Sequence, residues 1–395
     1  MSGGFFSVAQ QMRKTESRIP HCGSCGLSKT CNSPKMEPTG DGKKRVLIVA
    51  ESPGKEEDRL GVHLVGESGQ LLRKTLATFG VDLDRDCVKT NAILCHLPKG
   101  VKLKDRHTQA CLPNLKKTIA EVDPFAIIPL GGTATKAVLD QEQKDTGSIS
   151  KWAGFRIPSQ KPNAWICPTY HPAFVLRMDS QVLERLWRKH LLRAFARTKK
   201  RPWEQLPEYE KKVDSIFNLQ DAADAIRRMA KRIVLTAFDY ETNMLKPDPD
   251  EAKIYSCSIA QDNYTIAFPW DGPVIPAMKE LLRNESPKVA SNLKFEERWT
   301  RKEFGLGVRN WHWDTMLAAH VADNRPGITS IKFLSHALLG ADVYSTHIEP
   351  YFKSDETGLN QIHKIPIKEL LLYNGLDSLF ELLVAKKQMR KMGVV

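Results

Sequence analysis

Short apolar runs, each ending in an acid, a glycine or a proline, punctuate the first half of the chain. Val46-Leu-Ile-Val-Ala50 reads as a buried strand and runs straight into Glu51-Ser-Pro-Gly54. Phe125-Ala-Ile-Ile-Pro-Leu130 reads as a second. It ends in Gly131-Gly132, where glycine permits a tight turn into a helix whose free N–H groups can receive phosphate. A third, Ala164-Trp-Ile-Cys167, precedes His171-Pro172. Strand, loop and helix in alternation predict a parallel sheet covered by helices on both faces. Leu183, Leu186, Trp187 and Leu191 then share one face of a basic helix over 183–196. From there to Val213 the pattern has charge, two prolines and neither period, which predicts a linker. Beyond it, Ile233-Val-Leu-Thr-Ala-Phe-Asp239-Tyr-Glu241-Thr242 is a strand, Asn292 opens toward a helix, and Glu369-Leu-Leu-Leu-Tyr373 belongs to another.

These breaks divide the 395 residues into a first domain over 1–198, a linker over 199–212 and a second domain over 213–395. Residues 35–44 are the one stretch plain enough in composition to suggest disorder. No apolar run approaches the ~20 residues that a membrane span requires. The formal net charge of +13 favours a polyanionic partner, with nucleic acid ahead of a membrane surface because no basic amphipathic anchor stands out.

Eight cysteines are present. Cys22 and Cys25 form Cys-x-x-Cys, which brings two sulfurs to one side of a turn, and Cys95 and Cys111 form a wider pair downstream. Four thiolates suit an iron-sulfur cluster, and zinc would accept the same donors. A disulfide framework fits poorly, because no apolar signal peptide leads the chain and the reading is of a cytosolic protein. Cys31, Cys87, Cys167 and Cys257 read as buried small hydrophobes.

The second domain concentrates acids. Asp239 and Glu241 stand two apart on a strand, so one face carries both. Tyr373 and Asp377, four apart on a helix, stack on one face. With Glu296 the set Asp239, Glu241, Glu296 and Asp377 suits two divalent cations, magnesium or manganese, one to activate water and one to stabilise the leaving oxygen. Four converging carboxylates without metal would repel one another.

Residues 22 to about 196 resemble the iron-sulfur, family 4 class of uracil-DNA glycosylases. The resemblance rests on Cys22 and Cys25, Glu51-Ser-Pro-Gly54, Val65-Gly-Glu-Ser-Gly-Gln-Leu-Leu72, Asn91 ahead of Cys95, and His171-Pro172-Ala173. It implies an α/β/α parallel-sheet domain and a [4Fe-4S] cluster on Cys22, Cys25, Cys95 and Cys111. It also implies a flipped uracil read by Asn91, with Glu51 or Glu57 positioning water and His171 favouring negative charge on the departing base. Two positions depart from the pattern. Leu64, expected to bind the base by apolar contact alone, replaces an aromatic residue whose stacking is worth roughly 1 to 3 kcal/mol per base, and Ala50 replaces glycine at the head of the first loop.

Residues 213–395 resemble the proofreading 3′-5′ exonuclease domain of family A DNA polymerases, an RNase H-like fold with a mixed sheet. This implies that Asp239 bridges both metals, that Glu241 and Asp377 complete one site, and that Tyr373 orients the attacking water, with Asn292 as a candidate for substrate contact. Trp313-Asp314-Thr-Met-Leu matches a helix start usual in that family. Glu296 stands where the family has aspartate, and one extra methylene moves a carboxylate by roughly 1.5 Å. Glycosylase-like and exonuclease-like domains ahead of a polymerase are similar to certain bacteriophage replication polymerases. With no palm or fingers after the Asp377 helix, the expectation is an exonuclease acting on single-stranded or frayed 3′ ends, either beside a polymerase in trans or as the front part of a longer polymerase, in the host cytoplasm if of phage origin. Base excision as the principal chemistry, and a non-catalytic tether between DNA and polymerase, are the alternatives.

Overall fold

The structure, a computed structural model, describes residues 24–139 and 146–394. The chain divides into two compact units, the first running to Leu206 and the second starting at Pro207.

The first unit is built on a five-stranded sheet in the order β2-β1-β3-β5-β4, with β1 Val46–Ala50, β2 Cys87–Asn91, β3 Ala126–Pro129, β4 Ile157–Pro158 and β5 Trp165–Ile166. β1 runs parallel to β2 and β3, and β3 parallel to β5, while β4 returns antiparallel. Every residue of β1 is buried, because a central strand of a parallel sheet is covered on both faces and reads as an unbroken apolar run. β2 carries no such signature. Its Lys89 and Thr90 are buried polar residues, and Lys89 Nζ finds its partner in Asp84. Residues 35–44, expected to be disordered, are instead laced to the sheet: Thr39 bridges Lys89, and Lys43 and Lys44 donate to the carbonyls of Arg85 and Asp86 at 3.1 and 2.9 Å. Composition cannot register such long-range backbone pairing. Trp203 and Arg201, in the stretch read as a linker, donate to the carbonyls of Pro158 at 2.9 Å and Asn163 at 3.1 Å.

The second unit has a six-stranded mixed sheet in the order β11-β10-β7-β8-β9-β6. Its strands are β6 Val213–Ser215, β7 Thr236–Thr242, β8 Ile254–Gln261, β9 Tyr264–Pro269, β10 Lys288–Ala290 and β11 Trp311–Asp314. β7 pairs antiparallel with β8 and parallel with β10. The pleat sorts its side chains. Phe238 and Tyr240 enter a core with Ala222 and Ile226 of the Leu219–Ala230 helix and Val274 and Met278 of the Val274–Arg283 helix. Ala237 faces the other way, packing with Leu382, Ala385 and Met389 of the Ile367–Met392 helix. Asp239 and Glu241 share that second face.

The Ile367–Met392 helix is buried continuously from Tyr373 to Leu382, so no amphipathic stripe betrays it. Glycine in a helix interior ordinarily costs about 1 kcal/mol relative to alanine. At Gly375 the reverse holds, since a Cβ there would lie 2.3 Å from Val213 Cγ1 and 3.4 Å from Ala267 Cβ. Gly375→Ala is therefore expected to destabilise the protein by about 1–3 kcal/mol through overpacking, read as a lower denaturation midpoint. A midpoint raised by the better helix former would contradict the tight seating of helix on sheet.

Candidate functional sites

The acids of the second unit meet where β7 faces the Ile367–Met392 helix. Ligand oxygens of Asp239, Glu241 and Asp377 all lie within 4.8 Å of one another. Asn374 fixes Asp239, donating from Nδ2 to Oδ2 at 2.6 Å and to the backbone carbonyl at 3.2 Å. It is held in turn by β8, where Ser256 Oγ donates to Asn374 Oδ1 at 3.0 Å and Ser258 Oγ to its carbonyl at 2.8 Å. Tyr344 donates to Asp377 Oδ1, and Lys332 Nζ donates to the Tyr373 hydroxyl at 2.8 Å.

Burial pushes the Asp239 carboxyl well above the usual range and Asp377 adds to the rise, against the pull of Asn374 and Lys332. Glu241 is raised by burial and then by Asp239 and Asp377. Asp377, also raised by burial, is pulled back by Lys332 and by hydrogen bonds from Tyr344 and Tyr373. Buried like charges at this spacing call for a positive counterpart beyond Lys332, and an all-oxygen donor set suits a hard divalent cation.

Glu296, in the first turn of the Lys294–Phe304 helix, is 2% exposed, and its Oε2 has no partner. Burial raises its carboxyl, and the charge of Asp239 is the next cause. Asn292 stands at φ 70° just ahead of that helix, and its N–H donates to Asp314 Oδ1 at 3.1 Å. Asp314 also accepts from Leu293 N at 3.1 Å and caps the Thr315–Ala322 helix through Met316 and Leu317. The Trp313-Asp314 motif thus clamps the turn that delivers Glu296. Lys332, Tyr344, Asn374 and Glu381 escaped sequence reasoning. Asn374 and Glu381 lie on the helix already singled out, and a search at spacing four from Asp377 would have found Glu381; Lys332 and Tyr344 carry no local signature.

In the first unit Cys25, Cys95 and Cys111 gather in one apolar nest with Leu27 and Ile93. Cys22 lies outside the described residues. Cys87, Cys167 and Cys257 are buried, as read from the sequence, but Cys31 is not a core residue. It is half-buried in the same nest and hydrogen-bonded to Cys95, because the turn over Leu27–Lys29 brings the chain back toward that cysteine. Lys35 N–H donates to Cys95 Sγ at 3.3 Å. Convergent sulfurs with an N–H donor are a donor set that fits an iron-sulfur cluster.

The remaining residues of the expected uracil site fall around the ends of β1 and β2. Glu51 Oε2 accepts from Thr133 Oγ1 at 2.7 Å. His171 caps the Pro172–Met178 helix, Nδ1 accepting from Ala173 N at 3.1 Å, and burial lowers its pKa against the opposing pull of Glu51. Glu57 instead holds a loop, its Oε1 accepting from Val65 N at 2.9 Å and Gly66 N at 2.8 Å. Leu64, expected to give a base apolar contact, is 5% exposed and turned into the core with Leu72 and Leu76. Its φ of 55° and the backbone of Gly69, where a Cβ would lie 1.9 Å from the Leu64 carbonyl oxygen, set that orientation. Asn91 is already engaged: its Nδ2 lies 2.9 Å from His63 Nδ1, while His63 Nε2 lies 3.1 Å from the Glu37 carbonyl. With Nε2 donating to that carbonyl, Nδ1 accepts from Asn91. Burial holds His63 neutral, its pKa lowered to about 4.

Among the described residues, no helix is long and apolar enough to cross a membrane. The uracil DNA glycosylase superfamily matches residues 37–197, and the 3′-5′ exonuclease family matches residues 213–393. The type-4 uracil-DNA glycosylase of Pyrobaculum aerophilum is 32% identical over 168 residues, 42% of this chain and 85% of that protein. That of Saccharolobus solfataricus is 30% identical over 189 residues, 46% of this chain and 82% of its own. The DNA polymerase of Bacillus phage SP01 is 26% identical over 334 residues, 75% of this chain, which spans 34% of the polymerase. Among solved structures, the catalytic core of RRP6 from Trypanosoma brucei aligns with a TM-score of 0.36 and 16% identity over 46% of each chain. Through its first unit the chain belongs to the type-4 family of the uracil-DNA glycosylase superfamily, and its second unit is a 3′-5′ exonuclease domain.

Proposed function

We propose that the chain degrades DNA from the 3′ end, releasing mononucleotides by two-cation hydrolysis at Asp239, Glu241, Asp377 and Glu296. It does so as a proofreading activity beside a polymerase in trans, while the first unit holds DNA. One observation carries the hydrolytic reading: the convergence of the half-buried Asp239 and Glu241 with the buried Asp377, their oxygens within 4.8 Å of one another. When bound, magnesium or manganese would activate water and stabilise the leaving 3′ oxygen. The protein's own groups position the rest. Asn374 sets the rotamer of Asp239, Tyr344 steadies Asp377, and Tyr373, held by Lys332, orients the water. The partnership with a polymerase is supported by similarity to the phage polymerase over a stretch longer than either unit.

A 3′-labelled single strand with magnesium tests the reading. The intact protein is expected to release labelled mononucleotide, and no release, or the same release from Asp239→Ala, would end it.

The raised carboxyls also set a pH dependence. Groups that bind protons more tightly when folded lose them on unfolding above their ordinary range near pH 4. Without divalent cations, stability contributed by this cluster is thus expected to fall as pH rises from about 4 through neutrality. Cations bind the ionised form, so magnesium should raise the melting temperature more at about pH 8 than at about pH 5. Equal gains at both would argue against the cluster as a cation site.

In the first unit Cys22, Cys25, Cys95 and Cys111 would hold a [4Fe-4S] cluster that ties the loops at this end of the sheet together. The purified protein is expected to be brown and to contain iron, and Cys95→Ala to lose both. A colourless wild type containing zinc would replace the cluster with a zinc site.

A further inference from the structure

We propose that Glu381 is a ligand of the second divalent cation, so that Asp239, Glu296 and Glu381 form one cation pocket beside that of Asp239, Glu241 and Asp377. The inference rests on the exonuclease reading above and deepens it.

Glu381 follows Asp377 by one turn and Tyr373 by two on the Ile367–Met392 helix, so the three stack on one face. It is 2% exposed, within the continuously buried stretch of that helix. Its Oε1 accepts from Ser291 N at 2.9 Å, which ties it to the start of the turn that delivers Glu296. Its Oε2 has no partner among the described residues, and neither does Oε2 of Glu296. Asp239, Glu296 and Asp377 all lie close enough for their charges to bear on Glu381.

Two buried carboxylates, each with one orphaned oxygen, are a costly arrangement for a purely structural role. One proton shared between the two oxygens would satisfy both with one carboxyl neutral, whereas a cation does so with both ionised, and a count of bound manganese tells the two apart. A hard cation satisfies both oxygens at once, since such ions take several carboxylate ligands. The glutamate at 296 and the extra glutamate at 381 then read as two parts of one site: the longer side chain at 296 is accompanied by a further oxygen donor from the facing helix.

Glu381→Gln separates this role from a structural staple, because glutamine keeps a carbonyl oxygen for Ser291 N–H and loses only the charge. The test is a manganese titration of the full-length, chelator-stripped protein, with free Mn2+ counted by electron paramagnetic resonance and folding checked by thermal melting in EDTA. Wild type is expected to bind two Mn2+ per chain. Glu381→Gln and Glu296→Gln should each keep one and weaken the other by roughly tenfold or more, as loss of a ligand carboxylate requires. Two ions bound by Glu381→Gln with wild-type affinity would overturn the inference. So would a wild type that binds a single Mn2+ lost in Asp239→Asn, an outcome that leaves the hydrolytic site itself standing. A wild type that binds none would overturn both.

Discussion

Asp239→Asn is expected to reduce 3′-5′ degradation of a labelled single strand by about 10³-fold or more, while the same variant melts at a higher temperature than wild type in EDTA at neutral pH. Both effects have one cause. Asp239 is the acid whose charge reaches most of the cluster: it raises Glu241, Glu296 and Glu381, and Asp377 raises it in turn. Converting it to an amide removes the ligand proposed to be shared by both cations, and loss of one preorganised charge-stabilising group already costs about 10²–10³ in rate. The same conversion relieves like-charge repulsion in a buried, metal-free site, so the fold gains what the reaction loses. Single-turnover release of labelled nucleotide and a melt in EDTA measure the pair. A variant that loses activity and also melts lower in EDTA would mean that Asp239 acts mainly as a structural hydrogen-bond acceptor for Asn374.

A uracil-containing duplex is expected to yield abasic sites slowly or not at all. To read a base, Asn91 must give up its bond to His63, worth about 1 kcal/mol. With Leu64 packed into the core no side chain at that position stacks on the base, a loss of roughly 1 to 3 kcal/mol. Together these come to about 2–4 kcal/mol, or ~30- to 1000-fold in rate. His63→Ala frees the Asn91 amide and is expected to raise uracil release about fivefold. Alkali cleavage of the duplex after incubation counts the abasic sites. Uracil release as fast as 3′ degradation would show that the first unit is a working glycosylase and that the His63–Asn91 bond opens freely.

These two results bear on how the units divide the work. The type-4 scaffold retains the thiol nest, the loop held by Glu57 and the His171 cap, all of which shape a surface. Its Asn91 is engaged by His63, and the residue at position 64 is a leucine packed into the core. The exonuclease unit has the opposite character, with the side chains proposed to react each held by a neighbour: Asn374 on Asp239, Tyr344 on Asp377, and Lys332 on Tyr373.

Legibility followed the range of the interactions. β1 was readable residue for residue because a strand buried on both faces must be apolar throughout. β2 was not, since its Lys89 is neutralised by Asp84, a partner no periodicity announces. Asp239 with Glu241, and Tyr373 with Asp377, were readable because the strand period of two and the helix spacing of four place each pair on one face without reference to anything distant. Cys31 departs from a buried small hydrophobe for the converse reason: a turn, not a period, returns it to Cys95.

The sequence alone determined the two α/β units, the kinds of ligand each carries and the chemistry those ligands suit, since local periods and ordered motifs are properties of neighbouring residues. Only the tertiary structure decided which groups are engaged and which are left wanting. His63 closing on Asn91, Leu64 turned into the core, and the orphaned oxygens of Glu296 and Glu381 depend on segments tens of residues apart meeting in a buried space. There, desolvation makes each hydrogen bond or unpaired oxygen count far more than it would in water.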